Sequence, residues 1–174
     1  MNRRLFLAGA VSTAVSAALA TRAVTAATET KSMTAAFPPL DKTTDEWKQL
    51  LADQPYRVLF EEATERPWTS PLNDEKRDGT YVCAACYLPL FESKTKFDSG
   101  TGWPSFYQSI EGSTGTKKDW KMLIPRTEYH CARCGGHQGH VFNDGPQPTG
   151  QRWCNNGVAL RFVPDGEDLP ELRV

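Results

Sequence analysis

The chain has 174 residues, 20 basic and 21 acidic side chains and a formal net charge of −1, which is length enough for one domain with a buried core and no excess of either sign. No basic stripe runs through it, which sets aside the nucleic-acid binders. Its 13 glycines and 12 prolines favour turns and short strands over long helices, and its five cysteines leave one thiol over once pairs are made.

Residues 1–27 begin with Arg3 and Arg4, continue through a weakly apolar stretch from Leu5 to Ala20, and end on small residues with Ala26 and Ala27 as cleavage positions. The stretch is too short and too rich in Ser, Thr and Ala to span a membrane, so no stable insertion is expected. Arg3-Arg4 followed by Phe6 and Leu7 resembles a twin-arginine export signal. That route carries folded proteins, suits a domain loaded with metal beforehand, and implies a periplasmic protein. An ordinary secretory signal or an uncleaved anchor is the alternative. Residues 28–42 read as a linker, and the folded domain is expected over 43–174.

Thr43-Thr44-Asp45-Glu46 has the spacing of a capping box, with Trp47, Leu50 and Leu51 following on one helical face. Pro55 can open a second short helix that buries Tyr56, Leu59, Phe60 and Ala63. The polar run from Glu65 to Asp78 reads as an extended loop. After Gly79, short β-forming runs alternate with turns: Thr80–Cys83, Leu88–Phe91, Trp103–Phe106, Lys121–Ile124 and Val158–Val163. A small, mainly antiparallel β domain with short N-terminal helices is the expected fold class.

Cys83-Ala-Ala-Cys86 and Cys131-Ala-Arg-Cys134 each set two sulfurs on a tight turn. Two such turns complete a closed tetrahedral shell for one structural zinc ion. The interval between them exceeds a zinc-ribbon hairpin, so a β fold must bring them together. Disulfides are the alternative in an exported protein. His130, beside Cys131, is not needed as a ligand. Cys154 stands apart in Arg152-Trp153-Cys154-Asn155-Asn156-Gly157, and all three histidines, His130, His137 and His140, lie close together upstream. A lone thiol near histidines, an arginine and an asparagine suggests an activated thiolate, against the bland reading of an inert buried cysteine. Trp103, between Gly102 and Pro104, offers a rigid aromatic wall for a small apolar ligand.

Taken together, Gly79-x-Tyr81-x-Cys83-x-x-Cys86, the run from Lys96 to Phe106, Cys131-x-x-Cys134-Gly135-x-His137-x-Gly139-His140-Val141-Phe142-x-Asp144-Gly145-Pro146 and Arg152-x-Cys154-x-Asn156 resemble the methionine-R-sulfoxide reductase family, the B-type reductases. The resemblance implies two antiparallel sheets in a β-tent-like arrangement, with a Cys₄ zinc site away from the active pocket. It implies Cys154 as the nucleophile on the sulfoxide sulfur, His140 as the acid that protonates the oxygen, and His137 and Asn156 as positioning groups. Trp103, Phe142 and Arg152 match substrate-binding positions. Its expected substrates are oxidised proteins carrying methionine-R-sulfoxide, so it would act in protein repair under oxidative stress, as a monomer. Many members carry a recycling cysteine where this chain has Thr101. With four cysteines on zinc, cysteine arithmetic then requires an external thiol, from a thioredoxin-like protein or a small dithiol. Trp153 and Gly157 stand where the family usually has Tyr and Ser. Two other readings remain: a Cys154–His140–Asn156 thiol hydrolase, and a non-enzymatic zinc-ribbon-like binding module.

Overall fold

The computed structural model describes residues 37–121 and 123–174. The export signal read at residues 1–27, and the linker as far as residue 36, lie outside them. Phe37 and Leu40 pack on the core, and the Leu40 N–H donates to the Arg133 carbonyl. No helix among the described residues is long and apolar enough to cross a membrane.

The capping box forms as its spacing dictates. Thr43 Oγ1 accepts from the Glu46 N–H, and Glu46 Oε2 accepts from the Thr43 N–H at 2.8 Å, opening α1 (Thr44–Leu50). Trp47 of α1 stacks on Phe60 of α2 (Asp53–Glu61), with ring centroids 5.1 Å apart. Helix α2 starts two residues before Pro55, so the proline sits in the first turn, where its missing N–H has no helical partner to lose. Tyr56, Val58 and Leu59 are its buried residues. Leu50 faces solvent, because α1 ends there and Leu51 turns inward instead.

Two antiparallel sheets follow. The first orders β2 (Pro89–Glu92), β1 (Gly79–Cys83) and β9 (Leu160–Pro164). The second orders β3 (Lys96–Phe97), β4 (Ser105–Phe106), β8 (Arg152–Asn155), β7 (His137–Phe142), β6 (Arg126–Cys131) and β5 (Thr114–Asp119). Between the sheets lies an aromatic core. Phe91 stacks on Phe106 at 4.2 Å, Tyr81 meets Phe106 edge-on at 4.9 Å, and Tyr129 meets Trp153 edge-on at 4.9 Å.

The strand expected at Trp103–Phe106 shortens to its last two residues, and the described residues of the run expected at Lys121–Ile124, namely Lys121, Leu123 and Ile124, stand in no strand. These three residues lie between β5 and β6, where β-forming residues have no strand to pair with, and Leu123 and Ile124 face solvent. Strands β5 to β8 lie in stretches too polar or too rich in glycine and histidine to read as strands by themselves.

Candidate active site

Strand pairing assembles the site. In the β7·β8 ladder His140 stands directly opposite Cys154, and in β4·β8 Ser105 stands opposite Cys154 on its other side. Glu128 of β6 stands opposite His140, and Lys117 of β5 opposite Glu128. Directly opposed residues of an antiparallel ladder share a face. One row across the sheet therefore reads Lys117, Glu128, His140, Cys154, Ser105. Trp153, next in sequence to the thiol, points the other way into the aromatic core. Gly139 opposes Asn155, and a Cβ there would overlap the Cys154 carbonyl oxygen. The approach of β7 to β8 needs glycine at that point.

Cys154 and His140 share a cavity of about 110 Å³ with Trp103, Phe142, Arg126 and Asn156, along with Thr64, Gly139 and Asn155. The Trp103 indole is fixed by its Nε1–H, which donates to the Glu65 carbonyl at 2.9 Å. Glu65 itself is buried; its carboxylate accepts the N–H groups of Gly157 (2.5 Å) and Val158 (3.3 Å). Its own N–H donates to Asn156 Oδ1 at 2.9 Å, and Asn156 Nδ2 donates to the Gln138 carbonyl at 2.9 Å. Both ends of the Asn156 amide are thus engaged with backbone, locking the chain just after Cys154.

His140 Nε2 lies 2.8 Å from Asp119 Oδ2, which also accepts from Arg126 Nη2 at 2.7 Å. A hydrogen bond from the Lys121 N–H, with those from His140 and Arg126, holds the Asp119 carboxyl well below the usual range. A carboxylate only accepts, so Nε2 carries the proton and Nδ1 is the nitrogen able to exchange one. Burial pulls the His140 value below that of an ordinary histidine, with Asp119 opposing. His137 does not line the cavity. It is buried behind His140, its ring 5.5 Å away, with Nδ1 on Glu128 Oε1 at 2.8 Å. Burial pushes the Glu128 carboxyl up, but hydrogen bonds from His130 and His137 outweigh it and hold the group at about 2.

Burial also pushes the Cys154 thiol above its ordinary value, while the Arg152 charge and hydrogen bonding from Thr101 pull it down. Arg152 lies outside the cavity wall. Its Nε and Nη2 grip Asp144 at 2.8 and 2.9 Å, and its guanidinium lies 4.3 Å from the centre of the Phe142 ring. The Thr101 hydroxyl is 2.8 Å from Ser99 Oγ, which is 2.8 Å from Ser105 Oγ.

Cys83, Cys86, Cys131 and Cys134 come together elsewhere. Their sulfurs all lie within 4.8 Å of one another, with Cys83–Cys134 at 3.7 Å and Cys86–Cys131 at 3.5 Å. A tetrahedron with arms of about 2.3 Å has edges of about 3.8 Å, so this shell fits a zinc-sized ion. All five cysteines are free, and the sulfurs stand well outside disulfide distance. The two turns are copies. In each, the residue four past the first cysteine, Tyr87 or Gly135, has a positive φ and donates its N–H to that cysteine's carbonyl at 2.9 Å. Gln138 Nε2 reaches Cys83 Sγ at 3.5 Å, so one residue touches both the cluster and Asn156.

The family profile described as the SelR domain matches residues 51–164. A peptide methionine sulfoxide reductase MsrB of Pseudomonas putida strain W619 is 53% identical over 126 residues, 72% of this chain and 95% of that protein. One from Leptospira interrogans is 48% identical, covering 71% and 95%, and one from Methanosarcina barkeri is 48% identical, covering 74% and 91%. This chain belongs to the SelR family, the MsrB reductases. The family resemblance read from its motifs stands.

Within this SelR domain, the cavity unites Cys154, His140, Trp103, Phe142 and Asn156, and leaves His137 and Arg152 just behind its wall. Sequence reasoning missed Asp119, Arg126, Glu128, Glu65 and Gln138. Asp119 and Arg126 form the last pair of the β5·β6 ladder, so reading that stretch as a hairpin would have exposed them. Glu65 sits in a loop whose polarity hid a buried carboxylate.

Proposed function

We propose that this chain reduces methionine-R-sulfoxide to methionine, chiefly on oxidised protein side chains, at the expense of an external thiol. The observation that carries this reading is the in-register pair of Cys154 and His140 in a cavity walled by Trp103 and Phe142. The Cys154 thiolate gives an electron pair to the sulfoxide sulfur, and the proton held between Cys154 and His140 goes to the sulfoxide oxygen. The S–O bond breaks, methionine leaves as the thioether, and Cys154 keeps the oxygen as a sulfenic acid. Trp103 and Phe142 receive the ε-methyl group. Arg152 steadies the thiolate, Asp119 orients His140, and His137 and Asn156 position the two strands. A thiolate then attacks the sulfenic sulfur and the oxygen leaves as water, giving a mixed disulfide that a second thiol resolves. Thr101 and the four clustered cysteines leave Cys154 no internal partner, which makes that thiol external: a small dithiol or a thioredoxin-like protein.

Cys83, Cys86, Cys131 and Cys134 would hold one structural zinc ion, whose closed sulfur shell supplies stability and no reaction step. A hydrolase reading would need Asn156 to orient His140; the group on that ring is Asp119. Arg3-Arg4 and the stretch after it support twin-arginine export to the periplasm, where the protein would repair oxidised proteins. Changing both arginines to lysine should then empty the periplasmic fraction of the protein.

The direct test incubates the purified protein with dabsylated methionine-R-sulfoxide, or its S epimer, and dithiothreitol, beside Cys154→Ser. Consumption of the R epimer alone, lost in Cys154→Ser, is expected. Without reductant, a single turnover should leave a dimedone-reactive Cys154 and no new disulfide. Inertness of the folded, metal-loaded protein towards both epimers would sink the reductase reading.

A further inference from the structure

We propose that the tip of the β5–β6 hairpin, through Trp120, Leu123 and Ile124, docks the polypeptide that carries the oxidised methionine, holding apolar residues that flank it in an extended, unfolded segment. The inference rests on the reductase reading and adds the surface that selects the substrate. Trp120, Leu123 and Ile124 are 73%, 105% and 78% exposed, three large apolar side chains within five positions. The other exposed large apolar residues among those described are scattered or lie near the C-terminus. A concentrated apolar patch of this kind marks an interaction site.

Its place in the fold says with what. Asp119 and Arg126 close the hairpin at its base, and the first holds His140 while the second lines the cavity. The cavity, at about 110 Å³, has room for one side chain, so the backbone and neighbours of a protein-bound methionine must lie on its rim. Arg126 lines the cavity and begins β6, so Ile124 lies two residues from the cavity wall along the chain. The hairpin is also braced. Glu62, just past α2, pairs with Lys117 at 2.7 Å and with Lys121, tying strand and tip base to the helix. The single Glu62 carboxylate offsets one of these two charges and holds Lys121, the lysine beside Trp120, against the helix, which disfavours an anionic lipid surface as the tip's partner. Strand β5 is an edge strand, but it exposes Lys117 and Lys118, which oppose backbone pairing by an incoming chain. Side-chain capture at the tip is the route left. The partner chemistry follows from methionine itself: an apolar residue of protein interiors, whose oxidation disrupts the core around it and exposes apolar neighbours.

The test compares wild type, Leu123→Ser/Ile124→Ser and Trp120→Ser on three probes: free dabsylated methionine-R-sulfoxide, a peptide with glycines flanking the sulfoxide, and one with Leu, Val and Ile flanking it. Wild type should prefer the apolar peptide. Each variant, with an unchanged melting curve, should lose about tenfold in kcat/KM on that peptide, mostly through KM, and stay within about twofold on the other two. No flank preference in an active wild type overturns the docking surface alone. So does an equal loss on all three probes, which would mean that the tip shapes the site itself. Loss of vesicle binding or of a dimer in the variants, with peptide ratios unchanged, overturns it in favour of lipid or a second copy. A wild type inert on every probe sinks the reductase reading, and this inference with it.

Discussion

In the proposed reaction Cys154 and His140 hold one useful proton between them, and the surroundings of each group decide the pH range over which it can be used. With both groups protonated no thiolate forms; with both deprotonated nothing protonates the sulfoxide oxygen. Activity therefore follows a bell whose acid limb belongs mainly to His140 and whose alkaline limb belongs mainly to Cys154. Burial lowers His140 and raises Cys154, so the limbs move apart and the plateau widens on both sides. Asp119 opposes the lowering of His140, so Asp119→Asn should carry the acid limb to still lower pH and leave the alkaline limb in place. The Arg152 charge opposes the raising of Cys154, so Arg152→Met should carry the alkaline limb upward and leave the acid limb. His140→Asn should cost roughly a hundredfold or more in kcat. Profiles of kcat/KM against pH for the three variants check this. Limbs that shift together in either of the first two would refute the assignment of one limb to each residue.

Elements were legible where their signals are local. The capping box before α1 and the two cysteine turns depend on spacings of three residues, and both form as read. Strands β5 to β8 depend on partners far along the chain. Their sequences alternate site groups such as Glu128, His140 and Cys154 with core groups such as Tyr129 and Trp153, so no apolar run announces them. For the same reason Cys154 and His140 were visible as chemistry, while Asp119, which reaches His140 only through the hairpin, was not. The two departures beside Cys154 also become intelligible at this scale. Trp153 lies on the core face of β8, where a larger ring changes packing rather than the cavity. At Gly157 a Cβ would overlap Ser70 Oγ, and that hydroxyl already caps the short turn Pro71–Asn73 by accepting the Leu72 N–H. The glycine here is matched to a serine on a neighbouring loop.

The cysteine cluster joins the two sheets. Cys83 ends β1 in the three-stranded sheet and Cys131 ends β6 in the six-stranded one, so a bound ion staples one sheet to the other. The C-terminal tail lies over the staple: the Arg173 N–H donates to the Cys86 carbonyl, and Arg133 Nη1 donates to the Arg173 carbonyl at 2.6 Å. Structural zinc contributes on the order of 10 kcal/mol in small domains, which is comparable to the whole stability of a domain this size. Withdrawing the ion should therefore do more than loosen a turn. Gln138 carries the effect to the active strand, because its side chain meets Cys83 Sγ and its carbonyl holds Asn156, two residues past Cys154. Titrating the protein with a chelator while following released metal, the melting transition and turnover should show the three changing in step. The metal-free form is expected to melt tens of degrees lower or to lose its cooperative transition, with activity returning when zinc is restored before aggregation. Metal-free protein that keeps both its melting temperature and its turnover would show that the sheets hold together without the staple.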